Sequence, residues 1–424
     1  MMFLVVDILK GFETQTAECL ILAEILQIPM VIILNKIDLI EESKRELNIS
    51  KVTKKIQKTL SSTIFNDSKV IPISANFKLN LDILLETMNQ EAVKIILRRS
   101  KEQPFIFAFD HCFQIKGKGT VLSGTVLQGS AKVNDSIEIP ELKIEKKIKS
   151  MQMFKNPIEE ALPGSRCGIC ISQFDAKLLE RGLVCKNQSV QYIYSTIIKV
   201  NKVKHFKMEI KSKAKFHISL GHDTAIASIV LFSSSDLSKD FNWTSEYKYE
   251  ESITEEPDNP REYFALLEFE HPVLVYDSML LIGSKLDIEK SNTCRLAFWD
   301  KVSMETSAKD KNYQQTFLPN LKVFKTKSRE GVIQRFVNER EVIVSNLFKK
   351  ETNRGLFENM KCELSTGEIG TIAGTFGQSS KIRLQFMNAL QDSTIDTLKQ
   401  PKNNIKVVLK FKKFVYDRNH KMIQ

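Results

Sequence analysis

A chain of 424 residues is long enough for three or four domains, and 42% hydrophobic residues suits water-soluble units with proper cores. No apolar run reaches the roughly 18 residues of a membrane helix, and the apolar start at residues 1–6 is cut by Asp7 with no basic stretch before it, which argues against a secretory leader. Seven scattered cysteines suit a reducing, cytoplasmic setting. The formal charge of +11 is concentrated at the end: residues 321–424 hold 20 Lys and Arg against 10 Asp and Glu, which points to a polyanion partner, RNA foremost.

In chain order, residues 2–7 read as a strand. Residues 11–28 read as a helix with Leu20, Ile21, Ile25 and Leu26 on one side, stopped by Pro29. Val31, Ile32, Ile33 and Leu34 make a strand apolar on both faces. A lysine-rich helix over 41–60, a strand over 70–74 and a helix over 79–97 follow. Such alternation predicts a parallel sheet with helical crossovers.

Ligands of open α/β sheets bind past the carboxyl ends of the strands. There stands Asn35-Lys36-Ile37-Asp38, and Ser74-Ala75-Asn76 ends the next strand. A carboxylate such as Asp38 can accept both N1–H and the exocyclic amine of guanine. The Asn35 amide can reach the opposite edge and the neighbouring loop, and the Lys36 stem can lie on the base. Asn76 stands where lysine is usual, which thins the cover of the base. A plain surface turn is the competing reading of four such residues. The chain has no G-x-x-x-x-G-K-[S/T] loop for phosphates and no D-x-x-G. We therefore expect no catalytic residues here, weak or absent binding of GTP, GDP and Mg2+, and no GTP hydrolysis by these residues alone. Residues 2–7 are expected to form an apolar sheet edge.

A polar linker over 98–103 leads to short strands with glycine turns, among them Gly117-Lys118-Gly119-Thr120-Val121-Leu122-Ser123-Gly124-Thr125-Val126, the mark of a β-barrel. Cys167 and Cys170 lie in a strand-like setting and read as packing residues. Residues 191–203 and 211–232 alternate as strands, and His217 and His222 have no companion ligands, so no metal site is expected. Residues 233–262 carry nine acids against three bases with serines and prolines; we expect a mobile loop there, turned away from RNA. A polar connector follows at 308–316. Residues 321–327 and 405–413 alternate apolar and basic, which predicts a small barrel whose first and last strands pair. Its glycines at 367, 370, 374 and 377 read as turns. Ser379, Ser380, Lys381 and Arg383 could touch RNA.

The Asn-Lys-x-Asp strand with the glycine-rich string resembles translational GTPases that carry aminoacyl-tRNA. Further strings narrow this: Phe3-Leu4-Val5-Val6-Asp7, Gln15-Thr16-Ala17-Glu18-Cys19-Leu20, Asp110-His111-Cys112-Phe113, Ile148-Lys149-Ser150-Met151-Gln152-Met153-Phe154 and Leu347-Phe348-Lys349-Lys350-Glu351-Thr352-Asn353. Over nearly its whole length the chain resembles the eukaryotic selenocysteine-specific elongation factors, from just past the second switch. The resemblance implies a multidomain α/β plus all-β fold. Part of a P-loop-GTPase-type parallel sheet at 1–100 is followed by three small β-barrel domains at 104–188, 191–318 and 319–424. It implies a GTP-dependent carrier of selenocysteinyl-tRNA that works on the ribosome at recoded UGA codons, with the selenocysteine insertion element RNA and its binding protein as further partners. The aminoacyl pocket falls on Asp110, His111 and Arg166. A selenol is largely ionised at neutral pH, so Arg166 and a His111 held protonated by Asp110 would attract it, and an uncompensated cationic pocket would reject a seryl group. RNA contacts are implied at Lys213, Lys215, Lys349, Lys350, Lys410, Lys412 and Lys413. A non-hydrolysing RNA- or partner-binding form is the alternative reading.

Overall fold

The computed structural model describes residues 1–96, 102–237, 240–254, 260–286, 294–349, 351–376, 381–400, 405–417 and 422–424. The linker expected at 98–103 lies mostly outside them, as do Lys350, Gly377, Ser379 and Ser380.

Strands β1 (Met2–Asp7), β2 (Met30–Asn35) and β3 (Val70–Pro72) form a parallel sheet in that order. Parallel neighbours need crossovers, supplied by helices α1 (Thr14–Leu26) and α2 (Glu42–Leu60); α3 (Leu81–Ile96) follows β3. The Thr16 hydroxyl accepts the Glu13 amide at 3.3 Å where α1 begins. Gln27, at φ 50°, ends α1 two residues before Pro29. β2 is covered on both faces. Ile32 and Leu34 join Leu4, Val6, Ile56 and Leu60 on one side, and Val31 and Ile33 join Ile71 and Ile73 on the other. β1 is an edge strand, and Val5 on it is 57% exposed.

The second unit begins with β4 (Ile106–Ile115) and β5 (Gly119–Gln128). Its seven-stranded sheet closes on itself because the strand Arg166–Ile171 pairs with both β5 and the strand Ile144–Met153. Cys167 lies in this core, where burial lifts its thiol to about 11. Ile106, Leu183, Cys185 and Val190 pack with Leu274 and Tyr276 and tie this unit to the next.

The rest is one sixteen-stranded sheet system. Its first part surrounds a core of Phe216, Ile218, Ile229, Leu267, Leu281 and Phe298, and Ile21 and Ile25 of α1 belong to the same cluster, so α1 seats the α/β unit on this barrel. Its last part is built on the strands Val323–Asn338 and Lys406–Phe414, paired antiparallel from Phe324↔Phe414 to Val332↔Lys406.

The structure corrects one expectation. The acidic stretch at 233–262 is not a coreless loop over its described residues. The strand Tyr247–Glu250 pairs antiparallel with Asp223–Ser234 and parallel with Val323–Asn338, which makes the sheet continuous across residue 318. Phe241, Trp243 and Tyr247 pack with Phe232, Phe264 and Phe317. The acidic count hid these aromatics, which bury large apolar area, while Glu250, only 15% exposed, is matched by Arg261 and Ser233. Nor does the stretch turn away from the basic strands: Glu246 meets Lys412 at 2.6 Å and Glu251 meets Lys325 at 3.6 Å.

Candidate functional site: an ion-paired pocket on the second unit

The expected site residues fall at the carboxyl end of the parallel sheet and on one face of the closed barrel. At the sheet end, Asn35 finishes β2 and its side-chain oxygen accepts the amides of Lys36 (2.7 Å) and Ala75 (3.1 Å). One amide oxygen thus joins the two loops. Lys36, at φ 67°, sends its ammonium to Asp7 Oδ2 at 2.8 Å. That bond, then the Leu9 amide, holds the Asp7 carboxyl below its ordinary range. Asp38 follows in the short turn Ile37–Leu39. Ser74 is buried, and its hydroxyl accepts the Phe77 amide at 3.2 Å, while Ala75 and Asn76 are exposed. The six residues expected to meet guanine therefore lie on two adjoining loops, tied by the Asn35 side-chain oxygen. The sequence holds no glycine loop for phosphates.

On the barrel, the pairing of β4 with β5 slips between Phe109 and His111, so Asp110 and His111, neighbours in sequence, are both exposed. Gly124 makes this possible. A Cβ there would stand 2.1 Å from the Ala108 carbonyl oxygen and 2.5 Å from the Phe109 Cα. Arg166 starts the strand on the other side of β5, opposite Thr125. Its Nη2 donates to Asp110 Oδ1 and Oδ2 at 3.0 and 2.8 Å, and His111 Nδ1 lies 3.0 Å from Oδ1. The His111 and then the Arg166 contact hold the Asp110 carboxyl below the usual range. The structure thus brings Asp110, His111 and Arg166 together. It also amends the expected charge: Arg166 is compensated by Asp110 before any ligand arrives.

Arg166 also borders a hollow of about 700 Å3, which the sequence reading missed. Phe113, Ile115 and Phe154 give it apolar walls, and Lys118, Lys149 and Lys155 give it cations. The signal was present in the alternating Phe113 and Ile115 of β4, which are partly exposed rather than buried.

Of the seven lysines expected to meet RNA, six are among the described residues. Lys213 sits in an exposed turn at φ 70°, and Lys215 pairs with Glu270 at 2.7 Å. Lys349 and Lys410 are exposed. Lys412 is held by Glu246 and lies over the Phe324 ring at 4.5 Å, and Lys413 stands opposite Lys325.

Comparison with known proteins accords with this layout. Residues 1–94 match the elongation factor Tu GTP-binding domain and 119–185 elongation factor Tu domain 2. Residues 197–300 match the third domain of the eukaryotic selenocysteine-specific elongation factor, and 319–421 the C-terminal RIFT domain of that factor. The selenocysteine-specific elongation factor of Mus musculus is 38% identical over 488 residues, covering 100% of this chain and 83% of that protein. That of Methanocaldococcus jannaschii is 29% identical, covering 67% of this chain and 59% of its own. In fold, the chain is similar to translation elongation factor SelB of Methanococcus maripaludis, in the apo form (TM-score 0.68, 24% identity, 97% and 84% of the chains covered). The complex of that protein with the GTP analogue GppNHp gives TM-score 0.70, 24% identity, and 96% and 83% covered. The chain belongs to the eukaryotic selenocysteine-specific elongation factors, a family of GTP-binding translation factors that serve selenocysteine incorporation.

Proposed function

We propose that this chain carries selenocysteinyl-tRNA to the ribosome for insertion at recoded UGA codons, and that Asp110, His111 and Arg166 read the amino acid. The carrying observation is the Arg166–Asp110 pair at the edge of the hollow, in which one guanidinium nitrogen meets both carboxylate oxygens. A selenolate can compete with Asp110 for the guanidinium and be repaid in charge. A seryl hydroxyl is neutral and cannot repay the broken pair, so it is refused by a contact that already exists. His111, sharing Asp110 Oδ1, adds a second donor when protonated. The adjoining hollow, with two exposed aromatics and three lysines, suits the unpaired terminal nucleoside and its phosphate.

Lys213 and Lys215 are assigned to the tRNA. Lys349, Lys350, Lys410, Lys412 and Lys413 are assigned to RNA at the C-terminal unit, including the selenocysteine insertion element and its binding protein. Asn35, Lys36, Asp38, Ser74, Ala75 and Asn76 take the guanine ring, weakly, and these residues alone do not hydrolyse GTP; tight GTP binding in a nucleotide titration overturns that. The work is placed in the cytoplasm.

Affinities of selenocysteinyl- and seryl-tRNA for Arg166→Ala test the pocket. Selenocysteinyl-tRNA is expected to weaken about tenfold or more, as for a lost charge-assisted bond, while seryl-tRNA, no longer refused by the Arg166–Asp110 pair, binds better. An unchanged ratio between the two refutes the role.

A further inference from the structure

Helix α2 buries Ile56 and Leu60, with Ile49 and Val52 packed beside them. At 3.6 residues per turn, Lys44, Leu47, Lys51, Lys54, Lys55 and Lys58 fall within about 100° of arc, on the side opposite that core. Glu42 and Glu46 fall outside the arc. Lys44 is paired with Glu41 at 2.6 Å. The other four lysines are exposed, and among the described residues none of them meets a carboxylate. They stand three or four apart, so they repel one another: Lys51 neighbours Lys54 and Lys55, and Lys58 neighbours the same two. Only Lys58, in the last turn, is favoured by the helix dipole. Nor is the stripe a share of a generally basic surface, since residues 1–96 hold 11 Lys and Arg against 12 Asp and Glu. Leu47, in the same stripe, is 75% exposed.

We infer that the outer face of α2 is a docking surface for an acidic segment of a partner protein, with an apolar residue among its carboxylates. The stripe from Lys44 to Lys58 is about 21 Å long, the reach of about six extended residues. Carboxylates along one side of such a segment meet the lysines and relieve their mutual repulsion. Its apolar side chain covers Leu47, which a phosphate backbone cannot do. Nucleic-acid surfaces also use the guanidinium fork and stacking rings. The stripe holds neither, and its width of one helix face suits a single segment rather than the two backbones of a duplex. None of these residues belongs to the pocket or to the contacts assigned to RNA, so the inference stands apart from that reading.

The test titrates the full chain with a fluorescent synthetic peptide of about sixteen residues, some four helical turns, bearing glutamates and one leucine along one face. Combining Lys51→Gln, Lys55→Gln and Lys58→Gln is expected to weaken the peptide about tenfold, three exposed charge contacts being lost. The unfolding midpoint of that variant is expected to hold or rise, because repelling charges have been removed. Leu47→Ser is expected to weaken the peptide about threefold, through lost apolar contact. Three exposed lysines elsewhere, changed as Lys301→Gln, Lys309→Gln and Lys311→Gln, are expected to leave the affinity unchanged. Equal loss in that second set reduces the effect to net charge and overturns the inference. So does unchanged peptide affinity in the stripe variant, which leaves α2 a solvated face. If the stripe variant keeps the peptide but loses duplex RNA, the surface serves RNA and the protein partner is refuted.

Discussion

Arg166 grips both oxygens of Asp110, at 3.0 and 2.8 Å, although 56 residues separate them. The two come from strands on either side of β5, and the slip in β4 turns Asp110 towards the arginine. The pair orients the guanidinium and sets the cost that any ligand must repay.

The acid limb follows from the direction of the Asp110 shift. Its carboxyl is held low by His111 and Arg166, so it stays ionised below the ordinary value near 4. Its contribution is fully present above the unfolded value and fades as pH falls through the depressed folded one. A carbon-13 titration of Asp110 should give a midpoint below about 3.9. In Arg166→Ala the midpoint should move up. A wild-type midpoint at or above the ordinary value shows that the pair does not form in solution.

Asn35→Ala removes the one oxygen that ties the Lys36 and Ala75 amides together. The expected loss is about 1–2 kcal/mol of stability. It should be concentrated in residues 74–80, with faster hydrogen exchange at Ala75. Equal exchange in both proteins means that the loop is held by the Ser74–Leu79 backbone bonds instead.

Trp243 stands edge-on to Phe241 and Phe317, both at 5.0 Å between ring centroids. Trp243→Ala should cost roughly 2–3 kcal/mol, less than a fully buried tryptophan. Loosening of the seam should also speed protease cleavage within the 240–254 segment. Wild-type denaturation and cleavage rates would show that the aromatic cluster does not hold this seam.

Lys410 and Lys412 lie two apart on one strand yet should behave differently. Lys410→Ala is expected to lower the salt dependence of RNA binding by about one phosphate contact, near 0.9 in the log–log slope for duplex. Lys412 is occupied by Glu246 and Phe324. Lys412→Ala should lower stability slightly, within the ~1 kcal/mol of an exposed pair, and change the slope less. Equal slopes for both variants contradict this division.

Much of the α/β unit was legible because its signals are local. The apolar run Val31–Leu34 and the polar residues that end it specify a buried strand and its loop without help from elsewhere. The alternating lysines at 321–327 and 405–413 likewise mark strands, since period two is a property of the segment. Composition failed at 233–262, because counting acids says nothing about where Phe241, Trp243 and Tyr247 meet. Those rings find partners at Phe232, Phe264 and Phe317, which lie before and after them in the chain.

The sequence by itself therefore determined the kinds of element, the two loops at the carboxyl end of the parallel sheet and the family resemblance, all of which rest on near neighbours or contiguous strings. Only the tertiary structure decided that Asp110 neutralises Arg166, that Phe113 and Phe154 border one hollow, and that Glu246 holds Lys412. Each of these depends on pairing between strands far apart in the chain, and the first also on a slip in register. A one-residue slip reverses the face a side chain occupies, and no local pattern reports it.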